Sequence, residues 1–333
     1  MAMIRAVALP LFIIVFILSS LTQFESKLTT KYYQNTCPQL EKIIRDIVTM
    51  KQMTNPTTAA ATLRLFFHDC MVDGCDASVL ITSTPSNKAE RDHDLNLSLA
   101  GDSFDVIVRA KTALELACPG IVSCADILAL TTRDLLTMVG GPFYTVRLGR
   151  KDGFISQASR VDGNLLESSA TASQQIDLLA SKGFSVQEFV ALLGGHTIGF
   201  SHCKEFAKRI FNYSNTSQND PTLNLVFAKS LRIACANYDK NPNMAVFFDV
   251  ISPGKFDNMY YQNIPRGLTL LQSDQSLVQD PRSKPFVLKY ASNQTAFFND
   301  FAHAMEKLSV LQIKTGHNGE VRRRCDSFNN IKV

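Results

Sequence analysis

The chain has 333 residues, of which 45% are hydrophobic and 19% charged, and a formal net charge of +4. That apolar content supports a large buried core and argues against intrinsic disorder. The mildly basic balance does not fit a strongly cationic nucleic-acid module, and suits at most a weak attraction to anionic polysaccharide.

In chain order, Arg5 leads into the apolar run Ala6 to Leu18, followed by small and polar residues from Ser19. This pattern predicts a secretory signal peptide over residues 1–26, cleaved between about Ser20 and Ser26, because the apolar run is too short to span a bilayer. A buried core helix is the alternative. Helical periodicity follows from Pro38, at a first-turn position, with Leu40, Ile43, Ile44, Ile47 and Val48 spaced by threes and fours up to Met50. Further helices are predicted over Thr57–His68, Phe104–Ala117, Ser123–Met138, Ser173–Lys182, Ser185–Leu193, Asn224–Ala234 and Asn293–Leu308. Two starts have capping-box spacing, Ser123 with Asp126 and Ser185 with Glu188. Only Tyr144 to Leu148 alternates as a strand would, so residues 27–333 are expected to form one mainly α unit.

The eight cysteines are Cys37, Cys70, Cys75, Cys118, Cys124, Cys203, Cys235 and Cys325. In an exported chain an even number predicts four disulfides, with 105 pairings open on spacing alone. No C-x-x-C pair points to zinc, although His202 adjoins Cys203. Asn212, Asn215, Asn293 and Asn96 stand in glycosylation sequons. The tight basic cluster Arg322 to Arg324 reads as solvated surface.

Two segments bear chemistry. In Arg64-Leu65-Phe66-Phe67-His68-Asp69-Cys70, a cation and a titratable base sit one helical turn apart on one face. Gly194-Gly195-His196-Thr197 presents a second histidine from a crowded turn after an apolar helix. Either histidine alone is more commonly structural. Together with Val72-Asp73-Gly74-Cys75-Asp76-Ala77-Ser78 and the cysteine order, they resemble the distal and proximal signatures of plant secretory, horseradish-type haem peroxidases, from about Leu28 to Phe328.

The resemblance implies a mainly α haem-peroxidase fold holding one haem b. His196 would ligate the iron, Asp274 would bond the far side of that imidazole, and His68 and Arg64 would act on hydrogen peroxide from the opposite face. Asn96, reached from Glu90, would orient His68, which sets a structural role for that side chain against its sequon. Phe67 and Phe248 would pack on the two haem faces, although both also read as ordinary core. Two calcium ions are implied, one held by Asp69, Val72, Gly74, Asp76 and Ser78, the other by Thr197, Asp249, Ser252, Lys255 through its carbonyl, and Asp257. The implied disulfides are Cys37–Cys118, Cys70–Cys75, Cys124–Cys325 and Cys203–Cys235. Small aromatic donors would be oxidised one electron at a time by a secreted monomer of the extracellular space or cell wall. The chain departs from the family's N-L-P-x-P pattern at the donor entrance, where it has Asn164-Leu165-Leu166-Glu167-Ser168. Since there is no tryptophan, peroxidases that work through a Trp radical are not the pattern. A different class of reading is a non-enzymatic wall or haem-binding protein on the same fold.

Overall fold

The computed structural model describes residues 28–329, and the expected signal peptide lies outside them. The first helix, α1 (Leu40–Thr54), buries Leu40, Ile44 and Val48, one residue per turn. It starts two residues after Pro38, which lies in the preceding turn rather than in the helix. Pro56 separates α1 from α2 (Thr58–Met71), since the residue before a proline is pushed out of helical torsions. One flank of α2 places Leu65 and Phe66 in the core, and another turns Arg64, Phe67 and His68 to a cavity.

Next come α3 (Gly101–Ala117) and α4 (Cys124–Met138). Nearly every residue of α4 is buried, because α1, α2 and α3 all pack on it. Ser123 caps α4 through the Asp126 amide, but the anticipated box is half made. The Asp126 carboxylate turns inward and accepts from Arg150 Nη1 at 2.8 Å and from the Gly149 amide at 2.7 Å. An ion pair with no exposure outweighs a return bond to the cap.

The other half of the molecule holds α5 (Ala172–Ser181), α6 (Val186–Leu193), α7 (Ala207–Ile210), α8 (Leu225–Ala234), α9 (Met259–Asn263), α10 (Gln272–Ser276), α11 (Lys284–Ser292) and α12 (Gln294–Leu308). Ser185 and Glu188 form a complete capping box on α6, and Thr171 with Gln174 forms a second one on α5 that the sequence reading passed over. Most buried apolar residues join one core, while a smaller cluster gathers around Cys203, Phe206, Phe227 and Leu231.

Residues 144–148 are extended with alternating burial, as their pattern indicates, but only Leu148 makes a bridge, to Thr29. The two strands lie elsewhere, β1 (Phe200–His202) and β2 (Ala245–Phe247), paired antiparallel with Phe200 opposite Phe247. Three residues are too few for a period of two to register. All four disulfides have the pairings implied by the resemblance.

Candidate functional site

A cavity of about 350 Å³ lies between α2 and the turn after α6, with Arg64, Phe67, His68, Leu166, His196 and Phe248 on its wall. The two histidines thus face one space from opposite sides of the fold.

On the α2 side, His68 Nδ1 lies 2.7 Å from Asn96 Oδ1, and Asn96 Nδ2 donates to the Glu90 carbonyl at 2.7 Å. A carbonyl only accepts, so the Asn96 amide is fixed with its oxygen toward His68. That oxygen also only accepts, which places the proton on Nδ1 and leaves the Nε2 lone pair free. Burial, with the Arg64 cation adding to it and the Asn96 bond opposing, pushes the His68 imidazole down to about 3. Arg64 donates to the Ser98 carbonyl at 2.9 Å and the Ser98 hydroxyl at 3.0 Å, so its guanidinium is steered along the wall rather than onto His68. Asn96 is 2% exposed and uses both amide atoms, which leaves no nitrogen for a glycan.

Across the cavity, Gly194 and Gly195 lead into His196. A side chain at Gly194 would meet Phe297 and the Tyr261 hydroxyl within 2.6 Å, so crowding rather than torsion requires glycine there. His196 Nδ1 lies 2.9 Å from Asp274 Oδ1, which also accepts from the Tyr260 hydroxyl at 2.9 Å. An ionised carboxylate only accepts, so His196 donates from Nδ1 and its Nε2 lone pair is available to a metal. Phe248 stacks on the imidazole, 4.4 Å away and 3° from parallel. Tyr260 was not anticipated, as a tyrosine in an apolar stretch carries no distinguishing pattern.

Just beyond His68, the loop 72–78 bends through left-handed torsions at Asp73, Gly74 and Ala77. At Gly74 any Cβ would strike the Gln312 carbonyl oxygen at 2.4 Å. Asp69, Asp76, Ser78 and Glu90 are all buried there. Asp69 Oδ2 accepts from the Ala77 amide, Asp76 Oδ1 from the Ser78 amide, and Glu90 Oε2 from the Ser78 hydroxyl, while Glu90 Oε1 is buried without a partner. Burial, then repulsion from Asp69 and Asp76, pushes Glu90 up to about 9.

Beyond His196, Thr197 Oγ1 donates to Asp257 Oδ1 at 3.5 Å, and the Ser252 hydroxyl lies 2.9 Å from Asp249 Oδ2 and 3.0 Å from Asp257 Oδ2. Asn263 Nδ2 donates to Asp249, and its own Oδ1 is buried without a partner. Lys255 points its ammonium at Asp257 from 3.6 Å, leaving its carbonyl as the only oxygen it can offer. No cluster of three or more His, Cys, Asp or Glu side chains suited to a metal occurs among the described residues, so either set would depend on carbonyls and hydroxyls as well.

Arg322 overturns the solvated-surface reading. It has no exposure and donates to the Ala77 and Gly153 carbonyls at 2.7 Å each, which anchors the C-terminal segment to the 72–78 loop. Nothing in the sequence separates it from its neighbours Arg323 and Arg324.

Comparison with known proteins agrees with this arrangement. A profile described as Peroxidase matches residues 43–293. Peroxidase 41 of Arabidopsis thaliana is 58% identical over 321 residues, 96% of this chain and 97% of that protein. Peroxidase 65 of the same plant is 58% identical over 306 residues, covering 92% and 90%, and Peroxidase 6 is 54% identical over 329 residues, covering 98% and 99%. The likeness runs through both histidine segments, and the chain belongs to the peroxidase family as an enzyme of the plant secretory type that spends hydrogen peroxide to oxidise donors.

Proposed function

We propose that the cavity holds one haem b, with His196 Nε2 on the iron, and that His68 and Arg64 process hydrogen peroxide on the opposite face. The observation that carries this reading is the pair of histidines on one cavity, each with Nδ1 engaged and Nε2 free. The donor set fits the group: one imidazole backed by a carboxylate, apolar walls from Phe67 and Phe248, and a free base opposite. When bound, the haem supplies the one-electron redox centre.

The protein's own residues then have separate tasks. Neutral His68 takes a proton at Nε2 from one peroxide oxygen and returns it to the other, so that water departs. Arg64 stabilises the charge that develops on the departing oxygen. Asn96 holds the His68 tautomer, and Asp274 makes His196 a stronger donor to iron. Leu166, 38% exposed at the cavity edge, flanks the route by which small aromatic donors approach.

All-oxygen donor sets suit a hard cation, and two calcium ions are assigned. One is held by Asp69, Val72, Gly74, Asp76 and Ser78, the other by Thr197, Asp249, Ser252, Lys255 and Asp257. The orphaned Glu90 and Asn263 oxygens border these sets. Release to the extracellular space or cell wall is part of this reading, supported by the four disulfides. Absorption spectra of the purified protein test the function: a haem band that shifts on adding peroxide and returns on adding a phenol is expected. A band that ignores peroxide would leave a haem binder and reject the assigned roles.

A further inference from the structure

Three tyrosines run in a line from behind His196 toward the protein surface. Tyr260 stands edge-on to the His196 ring at 6.0 Å between centroids, Tyr261 edge-on to Tyr260 at 5.0 Å, and Tyr290 edge-on to Tyr261 at 5.1 Å. All three are buried, with Phe297 packed beside Tyr261 and Tyr290 and Phe256 stacked on Phe297. The line ends at Asp300, whose Oδ2 accepts from the Tyr290 hydroxyl at 2.8 Å, from Gln187 at 2.8 Å and from Lys289 at 2.9 Å. The Lys289 and Asp300 side chains reach solvent, 44% and 24% exposed. With no tryptophan in the chain, tyrosine is its most easily oxidised ring.

We propose that Tyr260, Tyr261 and Tyr290 form a relay that carries oxidising equivalents from the His196 side of the cavity to the surface at Asp300. There they would oxidise electron-rich phenolic groups on molecules too bulky for the cavity mouth. The relay rests on the peroxidase reading, since hydrogen peroxide is its oxidant. An electron leaves Tyr290 and passes inward through Tyr261 and Tyr260, while the Tyr290 phenolic proton moves to Asp300 Oδ2. This leaves a neutral tyrosyl radical beside a protonated carboxyl. A phenol at the surface returns one electron, Asp300 returns the proton to Tyr290, and the phenol departs as a radical after losing its own proton to water.

The hydrogen bonds distinguish the three rings. Proton transfer needs an acceptor within hydrogen-bond reach, and 2.8 Å from Tyr290 to Asp300 satisfies that. Partial burial pushes the Asp300 carboxyl up, but its bonds from Lys289, Tyr290 and Gln187 prevail and hold it below the usual range, so it stands ionised beside the Tyr290 hydroxyl. Tyr261 donates to the Val190 and Ala191 carbonyls at 2.7 and 3.2 Å, which cannot take its proton. Tyr260 has a carboxylate, but a proton moved to Asp274 would take from His196 Nδ1 the acceptor that orients that ring. The oxidised state therefore settles on Tyr290.

The test is electron paramagnetic resonance of the holoenzyme, freeze-quenched after mixing with peroxide in the absence of donor. A tyrosyl signal is expected, lost in Tyr290→Phe and in Asp300→Asn, with peroxide consumption and oxidation of free phenol unchanged in both variants. Oxidation of a phenol tethered to a long polyethylene glycol should fall in both. Asp300→Asn preserves the side-chain shape and keeps the proposal testable if Tyr290→Phe misfolds. An identical tyrosyl signal in folded variants would overturn the relay while leaving the peroxidase reading intact; a wild-type holoenzyme inert to peroxide would overturn both.

Discussion

Asn96 illustrates how a single side chain can satisfy two incompatible sequence patterns. Its sequon invites a glycan, whereas the bond to the Glu90 carbonyl uses the very nitrogen a glycan would need, and the bond to His68 holds the amide oxygen. Peptide mapping of protein from a glycosylating host should find Asn96 unmodified, while Asn212, Asn215 and Asn293 are exposed; a glycan at Asn96 would contradict the buried geometry. The same network sets the expectation for His68→Ala. Haem binding should persist, because His196 is untouched, but reaction with peroxide should slow by about a hundredfold or more, given that positioned acid–base catalysis contributes roughly 10² to 10⁴. Stopped-flow rates that match the wild type would remove His68 from the role.

Among the elements, α1 to α6, α8 and α12 were legible because a stripe of apolar residues every three or four positions survives in sequence, whereas α7, α9 and α10, of four or five residues, are too short to show one, and α11 was not anticipated. Legibility failed where a few residues are set by distant partners. The three-residue strands β1 and β2 exist through each other, and Arg322 is buried because the Ala77 and Gly153 carbonyls await it. Neither the depth of Arg322 nor the tyrosine line has a local period to read. The histidines were legible by resemblance, since each alone fits a structural role. The α6 cap was legible from spacing, and its worth can be measured. Ser185 is exposed and bonds the Glu188 amide at 3.2 Å, so Ser185→Ala should cost about 1 kcal/mol in denaturant unfolding. His196 is set by the packing around Gly194 rather than by this cap, so the peroxide step should not move. A change in that step would show that α6 transmits strain to the ligand.

Across the whole molecule, the two proposed cation sets stand at the two walls of the cavity. Asp69 directly follows His68 and Thr197 directly follows His196, so each set is attached by one peptide bond to a residue that faces the haem site. The first is also tied to the C-terminal segment through Arg322, and that segment is fastened to α4 by Cys124–Cys325, a separation of 201 residues. Removing the cations should therefore loosen both walls while leaving the four disulfides closed. Ligands bound only by the folded state stabilise it in proportion to the logarithm of their free concentration, about 2.7 kcal/mol at a hundredfold excess over the dissociation constant. Chelation should then lower the thermal midpoint and the peroxide rate together, and added calcium should restore both. Elemental analysis of active protein should find two calcium ions per chain. If the chelated protein keeps its midpoint, the 69–78 and 197–257 oxygens are held by their hydrogen bonds alone, and the orphaned Glu90 and Asn263 atoms need another explanation.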